Sequence, residues 1–211
     1  MVTPLDAITI IHRAFRRDMS EIDNAAYKAA AGDGNLSPVV DQLRFFSEVL
    51  KWHAEGEDEV VFPTMDRVAP LVARAYFLDH RELDTMTEGL AQISGASDAL
   101  IAARATAALT AHLRIHLDKE DVHLYPILRE RTLADEQASI VGTMARKIPP
   151  ERMPELVRWL FPLLGHDDRE VMTSVWMALM PEQVFAGVKP LIRAAVAEDW
   201  AELTRRIPEL A

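Results

Sequence analysis

From Leu5 onward, apolar residues recur at near-helical spacing through Ile8, Ile11, Phe15, Met19 and Ile22. Thr3-Pro4-Leu5-Asp6 supplies the start: threonine caps, proline takes the first turn, and aspartate reaches back as in a capping box. The pattern predicts a first helix to about Ala31, closed by the loop Gly32-Asp33-Gly34-Asn35. A second is expected from Ser37-Pro38 to Phe62, just before Pro63. A third should run from near Pro70 to Ser94-Gly95, and a fourth from near Ser97 to Tyr125, before Pro126. No stretch alternates as a strand would, and no Asn-Gly hairpin turn occurs. Four amphipathic helices of more than 20 residues, joined by short links, predict an all-α fold. The arrangement is an antiparallel four-helix bundle over residues 1–130.

The texture changes near residue 131. Thr132-Leu133-Ala134-Asp135 reads as another capping box. Pro149-Pro150, Pro154, Pro162, Gly165, Pro181 and Pro190 are expected to divide the remainder into shorter helices. Trp159, Leu160, Phe161, Leu163, Leu164, Val175, Trp176, Leu179, Val184, Phe185 and Ile192 are too much apolar surface to leave in water. Residues 131–211 are therefore expected to form a C-terminal helical extension. It would pack on the bundle or on a partner, with a homodimer through this extension as one arrangement.

Composition narrows the class. The 211 residues hold 23 Lys+Arg against 33 Asp+Glu, a net charge of −10, of which residues 1–130 carry −8. So acidic a chain is not expected to grip nucleic acid over a broad face. It has no cysteine, which removes disulfides, thiolate metal sites and a cysteine nucleophile. No apolar run reaches the roughly 20 residues needed to span a bilayer. The N-terminus lacks the form of a signal peptide, so a cytoplasmic protein without membrane contact is the expectation.

The candidate chemistry lies in the histidines. Six of the seven fall in the four predicted helices: His12, His53, His80, His112, His116 and His123. Trp52-His-Ala-Glu-Gly-Glu-Asp-Glu-Val-Val-Phe-Pro63 repeats as Ile115-His-Leu-Asp-Lys-Glu-Asp-Val-His-Leu-Tyr-Pro126. At a constant offset of 63, His53 aligns with His116, Glu57 with Glu120, Asp58 with Asp121, and Phe62 with Tyr125. Each of two alternate helices thus carries His-x-x-x-Glu, which puts imidazole and carboxylate on one face, one turn apart. The intervening helices carry His12-Arg13 and His80-Arg81. Such an order has approximate two-fold symmetry and follows the logic of carboxylate-bridged di-metal sites in bundle cores. Imidazole with carboxylate suits iron better than Mg²⁺ or Ca²⁺, while zinc and manganese fit as well.

These four motifs, in this order, make residues ~5–126 resemble the hemerythrin-like, or HHE cation-binding, family. The resemblance implies two non-heme iron ions in an Fe–O–Fe type centre. Glu57 and Glu120 would bridge, and His12, His53, His80 and His116 would be terminal ligands. It also implies dioxygen, peroxide or nitric oxide as partners, or a role in iron or oxygen sensing. The chain departs from the oxygen carriers of that family, which place two histidines four apart on the third helix. Here Tyr76 precedes His80 by one turn and Asp84 follows it by one turn. His112, one turn before His116 and aligned with apolar Val49, is expected to point inward as a fifth ligand or its supporting partner. Tyr76 or Asp84 are the other candidates. Of the twelve positions on two six-coordinate irons, four histidines, two bridging glutamates and one oxo or hydroxo bridge would fill ten, leaving two open, or one if His112 binds. A binding or sensing protein leads. A di-iron enzyme turning over peroxide, nitric oxide or an organic substrate is the alternative, with a metal-dependent signalling module as a third reading. The acids around Glu57, including Asp58, read as a solvated helix end; His123 and His166 are set aside as site residues, the latter as part of a helix start.

Overall fold

The computed structural model describes residues 2–91 and 99–211. Among these residues the fold is all-α, with no strand. The first helix, α1 (Asp6–Ala30), opens as its sequence predicts: the Thr3 backbone N–H donates to the Asp6 carboxylate at 2.6 Å. It closes at Gly32, whose φ of +87° only glycine takes without cost. Asn35 caps α2 (Leu36–Gly56), accepting the Ser37 N–H at 2.9 Å.

The expected stop at Pro63 does not occur. Helix α2 runs into a five-residue π turn, Glu57–Val61, and continues as α3 (Phe62–Val68). Within the wide turn the Phe62 N–H bonds the Glu57 carbonyl, five residues back. Proline lacks a donor and its ring clashes with the carbonyl four residues earlier, so an ordinary helix would break there. The wider turn shifts the ladder by one residue, and the chain passes Pro63 without ending. The repeat does the same. Helix α5 (Ala99–Lys119) leads into the π turn Glu120–Leu124 and then α6 (Tyr125–Arg131), with the Tyr125 N–H on the Glu120 carbonyl. Between the halves stands α4 (Ala73–Ala91), starting three residues later than Pro70 suggests. The expected boundaries at Ser94-Gly95 and Ser97 lie outside the described residues.

The tail folds as α7 (Ala134–Ala145), α8 (Met153–Leu163), α9 (His166–Leu179), α10 (Glu182–Ala195) and α11 (Trp200–Arg206). Leu133, not Thr132, is the cap residue of α7. Pro162 and Pro190 sit inside α8 and α10 rather than between helices. Pro162 is next to last in α8, so only one residue of that helix follows it.

Two compact units result. One is Phe15–Arg131, in which the later turns of α1 join α2, α4 and α5 in the antiparallel four-helix bundle. Its core includes Phe15, Met19, Ile22, Phe46, Met65, Leu109 and Leu113, all essentially inaccessible. The other joins Met1–Ala14 to Thr132–Ala211. There Ala7, Ile10 and Ala14 share a core with Leu160, Phe161, Met172, Trp176 and Ile192. The rings of Phe161 and Trp176 meet edge-on at 5.5 Å, and Arg13 pairs with Asp168. Val184, expected inside, is 50% exposed.

Among the described residues, one without a glycine's freedom carries backbone strain. Leu71, in the turn before α4, has φ +73° and is 85% exposed. A left-handed conformation costs a side-chain-bearing residue about 1–2 kcal/mol, and this side chain recovers little by burial. Leu71→Gly is expected to stabilise the protein by roughly 0.5–1 kcal/mol after the larger chain entropy of glycine is set against that strain. An unchanged or lowered denaturation midpoint would show that Leu71 contributes contacts that offset its strain.

Candidate metal centre

The two π turns place their first residues, Glu57 and Glu120, in the bundle interior with 0% exposure each. His53 and His116, one turn earlier on α2 and α5, are buried beside them, and His80 comes in from α4. Glu57, His80, His116 and Glu120 offer ligand atoms that all lie within 4.8 Å of one another. His53, Glu57 and Glu120 meet the same limit. The two carboxylates therefore belong to two overlapping groups. His12 is fully buried on α1, one turn before Phe15, but falls in the other compact unit.

The imidazoles are oriented from both sides. Nε2 of His53 lies 3.3 Å from Glu57 Oε1, and Nε2 of His80 lies 3.4 Å from Glu57 Oε2. Nε2 of His116 lies 3.3 Å from Glu120 Oε1. Behind the rings stand further carboxylates: His80 Nδ1 donates to Asp58 at 2.8 Å, and His116 Nδ1 donates to Asp79 at 3.2 Å. Asp79 is itself held by Lys119. A carboxylate on Nδ1 fixes ring and tautomer and leaves Nε2 directed at the shared centre, which is how a metal-ligating histidine is usually supported. Aromatic rings complete the wall: Phe15 lies 5.3 Å from His53, Phe62 4.9 Å from His80, and Tyr76 6.3 Å from His116.

The repeat is not electrostatically symmetric. The Tyr125 hydroxyl donates to Glu57, while its counterpart in the repeat, Phe62, has no hydroxyl to offer. Burial pushes Glu57 up, but its ion pairs with His53 and His80 outweigh that and hold it well below the usual carboxylate range. Burial and the charge of Glu57 push Glu120 well above it. Burial lowers His80, yet Asp58 and Glu57 raise it to about 9. Burial and the charge of His80 bring His116 down to about 4. Without a cation, the interior must hold protons to offset its carboxylates, because unpaired buried charge is costly. Three imidazoles and two carboxylates buried together fit a nitrogen- and oxygen-seeking transition metal better than Mg²⁺ or Ca²⁺.

Residues 3–128 match the hemerythrin HHE cation binding domain. The chain belongs to that family. Zinc finger protein BRUTUS of Arabidopsis thaliana is 25% identical to it over 187 residues, 85% of this chain and 15% of that protein. A BRUTUS-like zinc finger protein of the same plant is 26% identical over 171 residues, 75% of this chain and 14% of its own length. The chain thus spans about 15% of the length of these curated relatives, and the BRUTUS match extends past the family domain into the tail. No solved structure is significantly similar to the chain.

The remaining candidates fall elsewhere in this hemerythrin-family bundle. His112, expected to point inward, is half-buried at the edge, with Nε2 3.4 Å from Glu82. It lies outside both groups. Tyr76 is buried, its hydroxyl donating to the Lys119 carbonyl at 3.2 Å, so it packs beside His116. Asp84 is half-exposed, 4.0 Å from Arg81. His123 is exposed, and His166 begins α9. Asp58 is the main correction: it is not merely a solvated acid but the support of His80. Its place directly after Glu57 in the repeat was the available signal. Asp79 gave none, because no spacing rule singles out the residue before His80.

Asp58→Asn and Asp79→Asn are each expected to weaken metal binding by about 10–100-fold, the usual effect of removing a ligand's supporting carboxylate. Asp84→Asn should not. Metal competition against a chromophoric chelator measures this, and equal affinity in all three variants would remove Asp58 and Asp79 from the site.

Proposed function

We propose that this protein holds two non-heme iron ions and binds or senses dioxygen or a related small oxidant such as peroxide or nitric oxide. The observation that carries the reading is the sharing of Glu57 and Glu120 between two overlapping groups of ligands. A carboxylate within reach of both groups is what a bridged pair of ions requires. His80 and His116 would serve one ion. His53 would serve the other, and His12 would join it if the ligand order of the family holds here.

When bound, the iron pair would supply reversible electron exchange with a small oxidant. The chain's own residues hold Nε2 of His80 and His116 toward the centre through Asp58 and Asp79, and Phe15, Phe62 and Tyr76 pack against the imidazoles. Tyr125 provides a hydroxyl proton at Glu57. Binding leads over turnover because the side chains gathered at the centre are already engaged with the ligand residues, Asp58 and Asp79 on imidazoles and Tyr125 on Glu57. Among the described residues no helix is long and apolar enough to cross a membrane.

Purified protein is expected to carry about two iron atoms per chain. Glu57→Ala and Glu120→Ala should each lose both ions together. One firmly held zinc with no second metal, or full metal in both variants, would defeat the bridged-pair reading. His116→Ala should lose metal while His112→Ala keeps it, since His112 faces Glu82 at the edge; equal loss would make His112 a ligand. Optical spectra under dioxygen, peroxide and nitric oxide then separate the roles. Stable adduct bands accord with binding, whereas oxygen evolution or nitric oxide consumption would mark an enzyme.

A further inference from the structure

A cavity of about 380 Å³ opens between α2 and α4 within the bundle, with α5 behind it. His53, His80 and His116 form part of its lining, whereas Glu57 and Glu120 do not. Its walls are apolar: Val40, Leu43 and Leu50 on α2, Leu83 and Leu90 on α4, and Leu117 on α5. Apart from the histidines, the charged lining side chains lie on α2 and α4 and also reach solvent, among them Arg44, Lys51, Asp84 and Glu88.

The volume is too large for the ligands considered so far. A water molecule occupies about 30 Å³ of liquid, so a diatomic gas or peroxide needs only a small part of this space. The cavity instead falls in the range of about 300–1,000 Å³ found for small-molecule sites, which are mostly apolar with a few convergent polar groups. The sequence makes the room. Ser47 and Ala54 lie seven residues apart on one face of α2 and both line the cavity, and the repeat places larger Thr110 and Leu117 at their counterparts.

We propose that this cavity binds an amphiphilic organic molecule, with an anionic oxygen head directed at the histidines and their metal and a hydrocarbon body between the leucines. The inference rests on the di-metal reading for the direction of the head. His53, His80 and His116 are the polar groups at the inner end, and a cation held by them would take a carboxylate as a hard oxygen ligand. The leucine walls offer a hydrocarbon body the burial that an inward-pointing tail would forgo.

The test is a homologous series of carboxylates, acetate, butanoate, hexanoate and octanoate, titrated into protein of measured metal content. Binding is read by calorimetry and by shifts of the metal's optical bands. Affinity should rise about four-fold for each methylene buried, while the optical shift stays the same along the series because the head alone meets the metal. Ser47→Phe should flatten the chain-length dependence at unchanged metal content. Thr87→Leu, which intrudes from the facing helix, should do the same if the first variant folds poorly. Octanoate binding no tighter than acetate in fully loaded wild-type protein overturns the proposal. So does a chain-length dependence that neither folded variant reduces. A sample without metal defeats the proposed function and the head orientation, and the calorimetric series on that sample still decides whether the cavity takes the hydrocarbon body.

Discussion

Two glutamates with no exposure set the terms for the rest of this bundle. A buried carboxylate is tolerated only with a cation, a proton or several hydrogen bonds beside it. Here two stand together, so their surroundings must supply all of that compensation at once. Imidazoles meet them from α2, α4 and α5, the Tyr125 hydroxyl donates to one, and Asp58 and Asp79 stiffen the imidazoles from behind. Without metal the interior divides the burden unevenly, with Glu57 held ionised and Glu120 pushed toward the protonated form. A cation shared between them would relieve both, which ties the fold's largest electrostatic cost to the family's cation-binding chemistry.

Local backbone geometry makes that placement available. A π turn beginning at each glutamate carries the chain past Pro63 and Pro126, and so allows helices that proline would otherwise end. The turn also sets Asp58, directly after Glu57, where it reaches His80 on a different helix. The Pro that follows each motif is thus better understood as part of the site than as the end of a helix. This accounts for the boundaries misplaced at Pro63 and Pro126: the sequence rule that a helix stops before proline assumes an unbroken α ladder, and there the ladder changes register first.

What the sequence disclosed depended on spacing. The all-α class, the opening and close of α1, and the burial of His12, His53, Glu57, His80, His116 and Glu120 followed from periods of three to four and from the offset of 63. What it withheld were relations between helices. Asp79 reaches His116 across 37 positions, and nothing local distinguishes it from any other aspartate beside a histidine. His112 misled because its counterpart Val49 is buried, yet homologous positions in a repeat share a helix face only approximately; His112 settles at the edge on Glu82. The division of the tail was obscured for a different reason. The first fourteen residues share a helix with the bundle but a core with residues more than 140 positions away, and helical periodicity reports that an apolar face is covered without reporting by what.

The differences between the two halves of the repeat therefore carry more information than their likeness. Identity at His53/His116 and Glu57/Glu120 builds a frame with near two-fold symmetry. Departure from it then makes the halves inequivalent. Asp79 precedes His80 where the corresponding residue before His12 is Ile11, so only one of the two has a neighbour able to brace an imidazole. Tyr125 brings a hydroxyl that Phe62 lacks, and it falls on Glu57, the carboxylate that stays ionised. Ala54 replaces the leucine of its counterpart on the face where the cavity reaches His53, His80 and His116. Each substitution acts on the same centre by a different physical route: ring orientation, carboxylate charge and steric access. A symmetric frame would present two equivalent ions to the interior. These departures make the two halves chemically distinct, with Asp79 and Tyr125 fixing contacts in one and Ala54 leaving room where the cavity meets the histidines.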